Sequence, residues 1–172
     1  EDDKTHDTDK KSIFFIWPIL IFLLALIAMA NALTEGSVDA WGALYMKDFI
    51  QVNGFQVGIA TISFNIFMVI GRIYGDMFRD RFGVYFILLI LMLSSILSLI
   101  ILINFNTIFS SFLGFALLGI GASSIVPIAY SLASKIKGID SSIGITIISV
   151  AVYGTFIGAP ASLGLIANFY GV

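Results

Sequence analysis

Glu35 and Asp39 stand one helical turn apart in TEGSVDAWGALYM, residues 34–46, just behind the apolar run 13–33. With Asn31 they follow an i, i+4, i+8 spacing, so a helix would project all three from one face as a polar stripe two turns long. A carboxylate at bilayer depth costs about 2.5–3.5 kcal/mol on insertion scales unless it faces protein, a partner or water. The stripe is therefore expected to point away from lipid. Its chemistry would be to accept a proton, ligate a cation or accept hydrogen bonds from a polar solute. Thr61 and Asn65, at helical spacing in a later run, would line a cavity, and Trp41 and Tyr45, on another face of the first helix, would stack on a ligand. The plainer reading puts the acids in the headgroup zone and the aromatics in packing or an interfacial belt.

A second cluster, GRIYGDMFRDRFG at 71–83, places Arg72, Asp76, Arg79, Asp80 and Arg81 within ten residues. Arg72, Asp76 and Asp80 succeed one another at single turns, so one helix face carries both signs. Ion pairing there would hold two helices in one arrangement and release them in another, which is the chemistry of a gate. Gly71 and Gly75 permit a neighbouring helix to approach closely. Asp80 is expected against the positive N-terminus of a helix beginning near Ser141. Anchoring at the headgroups would account equally well for Arg79 and Arg81.

The elements that must position these residues follow from composition. Of 172 residues, 59% are hydrophobic and only 12% charged, unlike a soluble domain. The stretch Phe86 to Ile103 holds no charge at all. Apolar runs recur along the whole length, so a single signal peptide does not explain them. About 20 apolar residues cross the hydrocarbon core, and five stretches qualify: about 13–46, 56–78, 84–104, 107–134 and 141–168. Transmembrane strands would be shorter and would alternate polar with apolar residues. The expected fold is thus all-α, a polytopic transmembrane bundle at 13–172 preceded by a solvated tail at 1–12. Eight basic residues fall at the tail, the second connection or the fourth, and only Lys47 at an alternate one. This bias places the N-terminus of the segment in the cytoplasm of a cell's inner membrane. With no cysteine in the chain, disulfides, thiolate metal sites and cysteine nucleophiles are excluded. The single histidine, His6, lies in the tail.

The later spans carry breakers and small residues. Pro127 and Pro160 should kink their helices, since each removes a backbone hydrogen bond. Gly154, Gly158 and Ser162 form a small-residue stripe suited to close helix packing. Gly36 and Gly42 would let the long first helix bend.

The charged turn resembles the signature loop of the major facilitator superfamily, which joins the second and third helices of each six-helix half. Asp80, Arg81 and Gly83 match that motif in order, while Asp76 occupies its leading glycine position, Gly75 falls one place early and Val84-Tyr85 replace the trailing basic residues. TEGSVDAW is similar to the seventh helix of bacterial members related to fucose permease. The resemblance implies helices seven to eleven, five spans of a C-terminal six-helix half, with residues 1–12 ending the central cytoplasmic loop. The chain, which opens without Met and stops after an outward span, is expected to be a fragment. GTFIGAP faintly resembles the antiporter motif of the same superfamily.

The resemblance implies a secondary transporter that moves a small polar solute, such as a sugar, by alternating access. Asn31, Glu35, Asp39, Trp41 and Asn65 would serve substrate binding or proton coupling. Arg72, Gly75, Asp76, Arg79, Asp80, Arg81 and Gly83 would form the gate, and Gly154, Gly158 and Pro160 would serve helix packing. The expected partners are the solute, the lipid bilayer and the N-terminal half of the same carrier, with no nucleic acid, cofactor or metal. The alternatives are a drug or metabolite efflux carrier and a non-transporting scaffold subunit. An intramembrane hydrolase would need two carboxylates converging from different helices, whereas Glu35 and Asp39 share one.

Overall fold

The computed structural model describes the backbone of residues 3–170 and the side chains of residues 18–169. It is an all-α bundle. The first helix, α1, spans Asp3–Leu44 and passes through Pro18, Gly36 and Gly42 without interruption. It begins within the stretch read from the sequence as a tail, where no proline or glycine interrupts the backbone before Pro18. Gly42 accommodates Thr61 and Ala60 of the second helix, and Gly36 takes the ring of Phe156.

A π-helical turn, Tyr45–Phe49, ends the first span, and a short 3-10 turn, Gly54–Gly58, begins the second. Helix α2 follows as Ile59–Phe82, so the charged cluster extends the helix rather than forming a loop. Gly83 alone separates it from α3, Val84–Asn104. Its φ of +86° and ψ of 166° lie in a region essentially reserved for glycine, and its N–H donates to the Arg79 carbonyl at 2.9 Å.

The fourth span is divided. Thr107 and Ser110 form a reciprocal capping box that starts α4, Ile108–Ala122. The helix breaks at Ser123-Ser124 and resumes as α5, Ile125–Ala133. The break lies one turn before Pro127, whose missing N–H would have bonded the Ser123 carbonyl. The last helix, α6, covers Ser141–Tyr170 and remains helical through Pro160. Asp140 caps it: the carboxylate accepts from the Ser142 N–H at 3.0 Å and the Ser142 hydroxyl at 3.1 Å.

Helix α4 lies between α2 and α3, while α1 packs chiefly on α6 and α5. Close approach depends on small residues. The backbone of Gly119 rests on the main chain of Phe64 and Met68, and Gly121 rests on that of Leu91 and Ser95. Serine hydroxyls reinforce the seam, with Ser94 donating to the Leu117 carbonyl and Ser98 to that of Gly114, each at 2.7 Å. One buried cluster joins Val38, Phe64, Met68, Phe115 and Leu118, and another joins Ala28, Ala32, Ala129, Ile148 and Val152. Large apolar residues cover the outer surface of every long helix, such as Phe22, Ile73, Leu93 and Ile157. This is the pattern of a protein that meets hydrocarbon rather than water.

Candidate functional site

The acidic stripe of α1 faces α2, where two side chains meet it. Asn65 donates Nδ2–H to Asp39 Oδ1 at 3.2 Å and to the Thr61 carbonyl at 3.0 Å. One level further along, a guanidinium nitrogen of Arg72 lies 3.8 Å from Glu35 Oε2. The Glu35 side chain is 20% exposed and that of Arg72 46%. Arg72 stands roughly 15 Å along α2 from Phe82 at 1.5 Å per residue, well inside the apolar span. A charge at that depth requires a partner, and each member of the pair supplies one for the other.

Arg72 therefore leaves the group in which the sequence placed it. Single-turn spacing put Arg72 on one face with Asp76, yet Asp76 lies 3.2 Å from Arg79 and Arg72 reaches across to α1. Its Nε–H donates to the Ser123 carbonyl at 3.1 Å, and its terminal nitrogen lies 3.5 Å from the Met68 sulfur. The Ser123 oxygen is the one that Pro127 leaves without a helical donor. Gly71 and Gly75 lie against the side chains of Ser123 and Ser124, so the helix break presses directly on α2. Sequence reasoning missed Ser123. The signal was available in the position four residues before a proline, but its partner depends on how two distant helices pack.

Asn31, third member of the stripe, is only 5% exposed, and its Nδ2 has no hydrogen-bond partner among the described residues. Trp41 is half-buried. Tyr45 packs against the bundle: its ring stacks on Phe49 with centroids 5.7 Å apart and meets Phe115 edge-on at 5.5 Å, and its hydroxyl donates to the Leu102 carbonyl at 3.3 Å.

At the Phe82 end, Asp80 lies 3.6 Å from Arg79. The two share a small polar cleft of about 260 Å³ with Gly83, Ser131 and Lys135. The expected seat of Asp80 at the N-terminus of α6 is filled by Asp140, which reaches it locally. Arg81 is exposed, with its guanidinium 5.4 Å from the centre of the Phe82 ring. Gly154 and Gly158 have open space where a side chain would project, and Pro160 is exposed, so no described helix packs on that stripe.

Five long apolar helices, with a paired acid and base inside two of them, define a multi-pass membrane protein. Comparison with known proteins narrows the class. The chain is 30% identical over 148 residues to an uncharacterized MFS-type transporter of Yersinia pestis, covering 86% of this chain. It is 26% identical over 152 residues to the membrane protein MosC of Rhizobium meliloti and 26% identical over 148 residues to the uncharacterized transporter y4wD of Sinorhizobium fredii, covering 88% and 86% of the chain. Relatives named as transporters thus match most of its length. The chain spans only 37–39% of the length of these relatives. No family model matches it, and no solved structure does.

Proposed function

We propose that the chain forms the C-terminal five spans of a secondary carrier of the major facilitator type, working against an N-terminal half by alternating access. The observation that carries this reading is the Glu35–Arg72 pair with the neighbouring Asp39–Asn65 bond. Together they make a polar seam, part exposed along α1 and α2, in a segment otherwise built for hydrocarbon. Such a seam has a physical reason to exist where it borders a water-filled path between two halves. The names of two relatives support transport, and the fraction of their length matched supports a half-carrier.

The cargo is a small polar solute of the sugar type, oriented by hydrogen bonds to the carboxylates and to the amides of Asn31 and Asn65. Coupling runs through proton exchange at Glu35. The ion pairs among Asp76, Arg79 and Asp80 close the path at the cytoplasmic side, in an inner membrane with the segment's N-terminus in the cytoplasm. The test is reconstitution of the full-length protein in liposomes under an imposed pH gradient, with a panel of radiolabelled sugars and organic cations. Gradient-dependent accumulation of a sugar is the expected result. Accumulation of cations alone would assign drug efflux instead, and absence of flux for every solute would leave a scaffold.

A further inference from the structure

Arg72 has two oxygen partners, one hydrogen-bonded and one ion-paired, and they belong to different packing groups. Its Nε–H bonds the carbonyl of Ser123, at the break between α4 and α5, while its terminal nitrogen lies beside Glu35 on α1. Helix α4 packs on α2 and α3, whereas α5 packs chiefly on α1 and α6. Pro127 has no amide hydrogen to give that carbonyl, which leaves it to side-chain donors. The side chains of Ser123 and Ser124 seat against Gly71 and Gly75, so the break and the arginine meet α2 at one place.

We infer that Arg72 is a positioning residue that couples the protonation of Glu35 to the angle between α4 and α5. The inference rests on the carrier reading, which makes Glu35 a proton acceptor. While Glu35 is ionised, its carboxylate draws the guanidinium toward α1 and shares it with the Ser123 oxygen. Once a proton neutralises Glu35, that oxygen is the strongest acceptor left, and the charge-assisted bond to it tightens. A tighter bond favours the broken form of the fourth span over a straight one.

The neighbouring charges leave this exchange to Arg72. Asp39, one turn along α1, is held by Asn65, and Asp76, one turn along α2, is held by Arg79. Helices α4 and α6 contain no acidic or basic residue. The one titratable side chain of α5, Tyr130, accepts from Ser149, and Tyr153 of α6 is exposed.

The experiment measures the distance between spin labels on Phe109→Cys and Leu132→Cys, exposed positions on α4 and α5. It uses the full-length protein in lipid nanodiscs at acidic and at alkaline pH. The parent is expected to give a different distance at each pH. Glu35→Gln should give the acidic distance at both. Arg72→Lys keeps the cation but lacks the fork that reaches two acceptors, and should lose the shift while unfolding with the parent's cooperativity. Pro127→Ala, which returns an amide hydrogen to Ser123, should lengthen the distance at both pH values. A parent without a shift, a shift that survives Glu35→Gln, or a shift that survives Arg72→Lys would each overturn the coupling. Flux with no shift rejects the coupling and keeps the carrier; a shift that tracks Glu35 without flux for any solute keeps the coupling and rejects the carrier.

Discussion

Gly119 of α4 lies on the main chain of Phe64 in α2, so close that an added methyl group would collide with the Phe64 carbonyl oxygen and stand 3.0 Å from the Met68 nitrogen. Backbone cannot step aside as a side chain can. Gly119→Ala is therefore expected to destabilise the bundle by about 1–3 kcal/mol through overpacking. Thermal unfolding of the purified protein in detergent would register the loss, and an unchanged midpoint would show that α2 and α4 are less closely joined.

The hydroxyl of Ser98 crosses from α3 to the Gly114 carbonyl at 2.7 Å in a fully buried site. Hydrogen bonds between membrane helices contribute about 0.6 kcal/mol on average, so Ser98→Ala should cost about that amount and at most about 1.7 kcal/mol. The same unfolding assay checks this.

Under the proposed function, neutralising Glu35 removes the proton acceptor, while the Ser123 carbonyl still accepts from Arg72. Glu35→Gln should then abolish gradient-driven uptake. Exchange of labelled for unlabelled solute across the membrane should continue. Uptake that still follows the gradient would remove Glu35 from coupling.

Asp80 lies at the end of α2 with Arg79, in a cleft shared with Lys135, and away from the polar seam. Under the proposed function, Asp80→Asn should slow cycling while solute binding stays near the parent's, because the change would touch a closure contact and no binding group. Solute-dependent fluorescence for binding and counterflow for cycling separate the two, and equal losses in both would count against the gate.

The spans were readable because an apolar helix must satisfy its backbone internally and needs a fixed length. The third span, expected at 84–104, is Val84–Asn104, and the fifth, expected from 141, begins at Ser141. Breakers were half readable. Pro127 announced an irregularity in the fourth span, but the interruption falls at Ser123-Ser124, where the hydrogen bond lost to proline would have closed. Partners across helices were not readable. Arg72 and Asp76 satisfy the single-turn rule equally with or without a competing acid, and only the packing of α2 on α1 brings Glu35 within reach. Tyr45 likewise drew a ligand-facing expectation from its spacing, while the π-helical turn that begins at it carries its ring to Phe115.

The joint between α2 and α3 is a single glycine held at φ +86°. One residue gives no slack, so the two rods it connects must travel together whenever either is displaced. A peptide tag spliced in at Gly83 would lengthen that tether and let them part, whereas the stretch 135–139 between α5 and α6 has chain to spare and is the better place to graft a reporter.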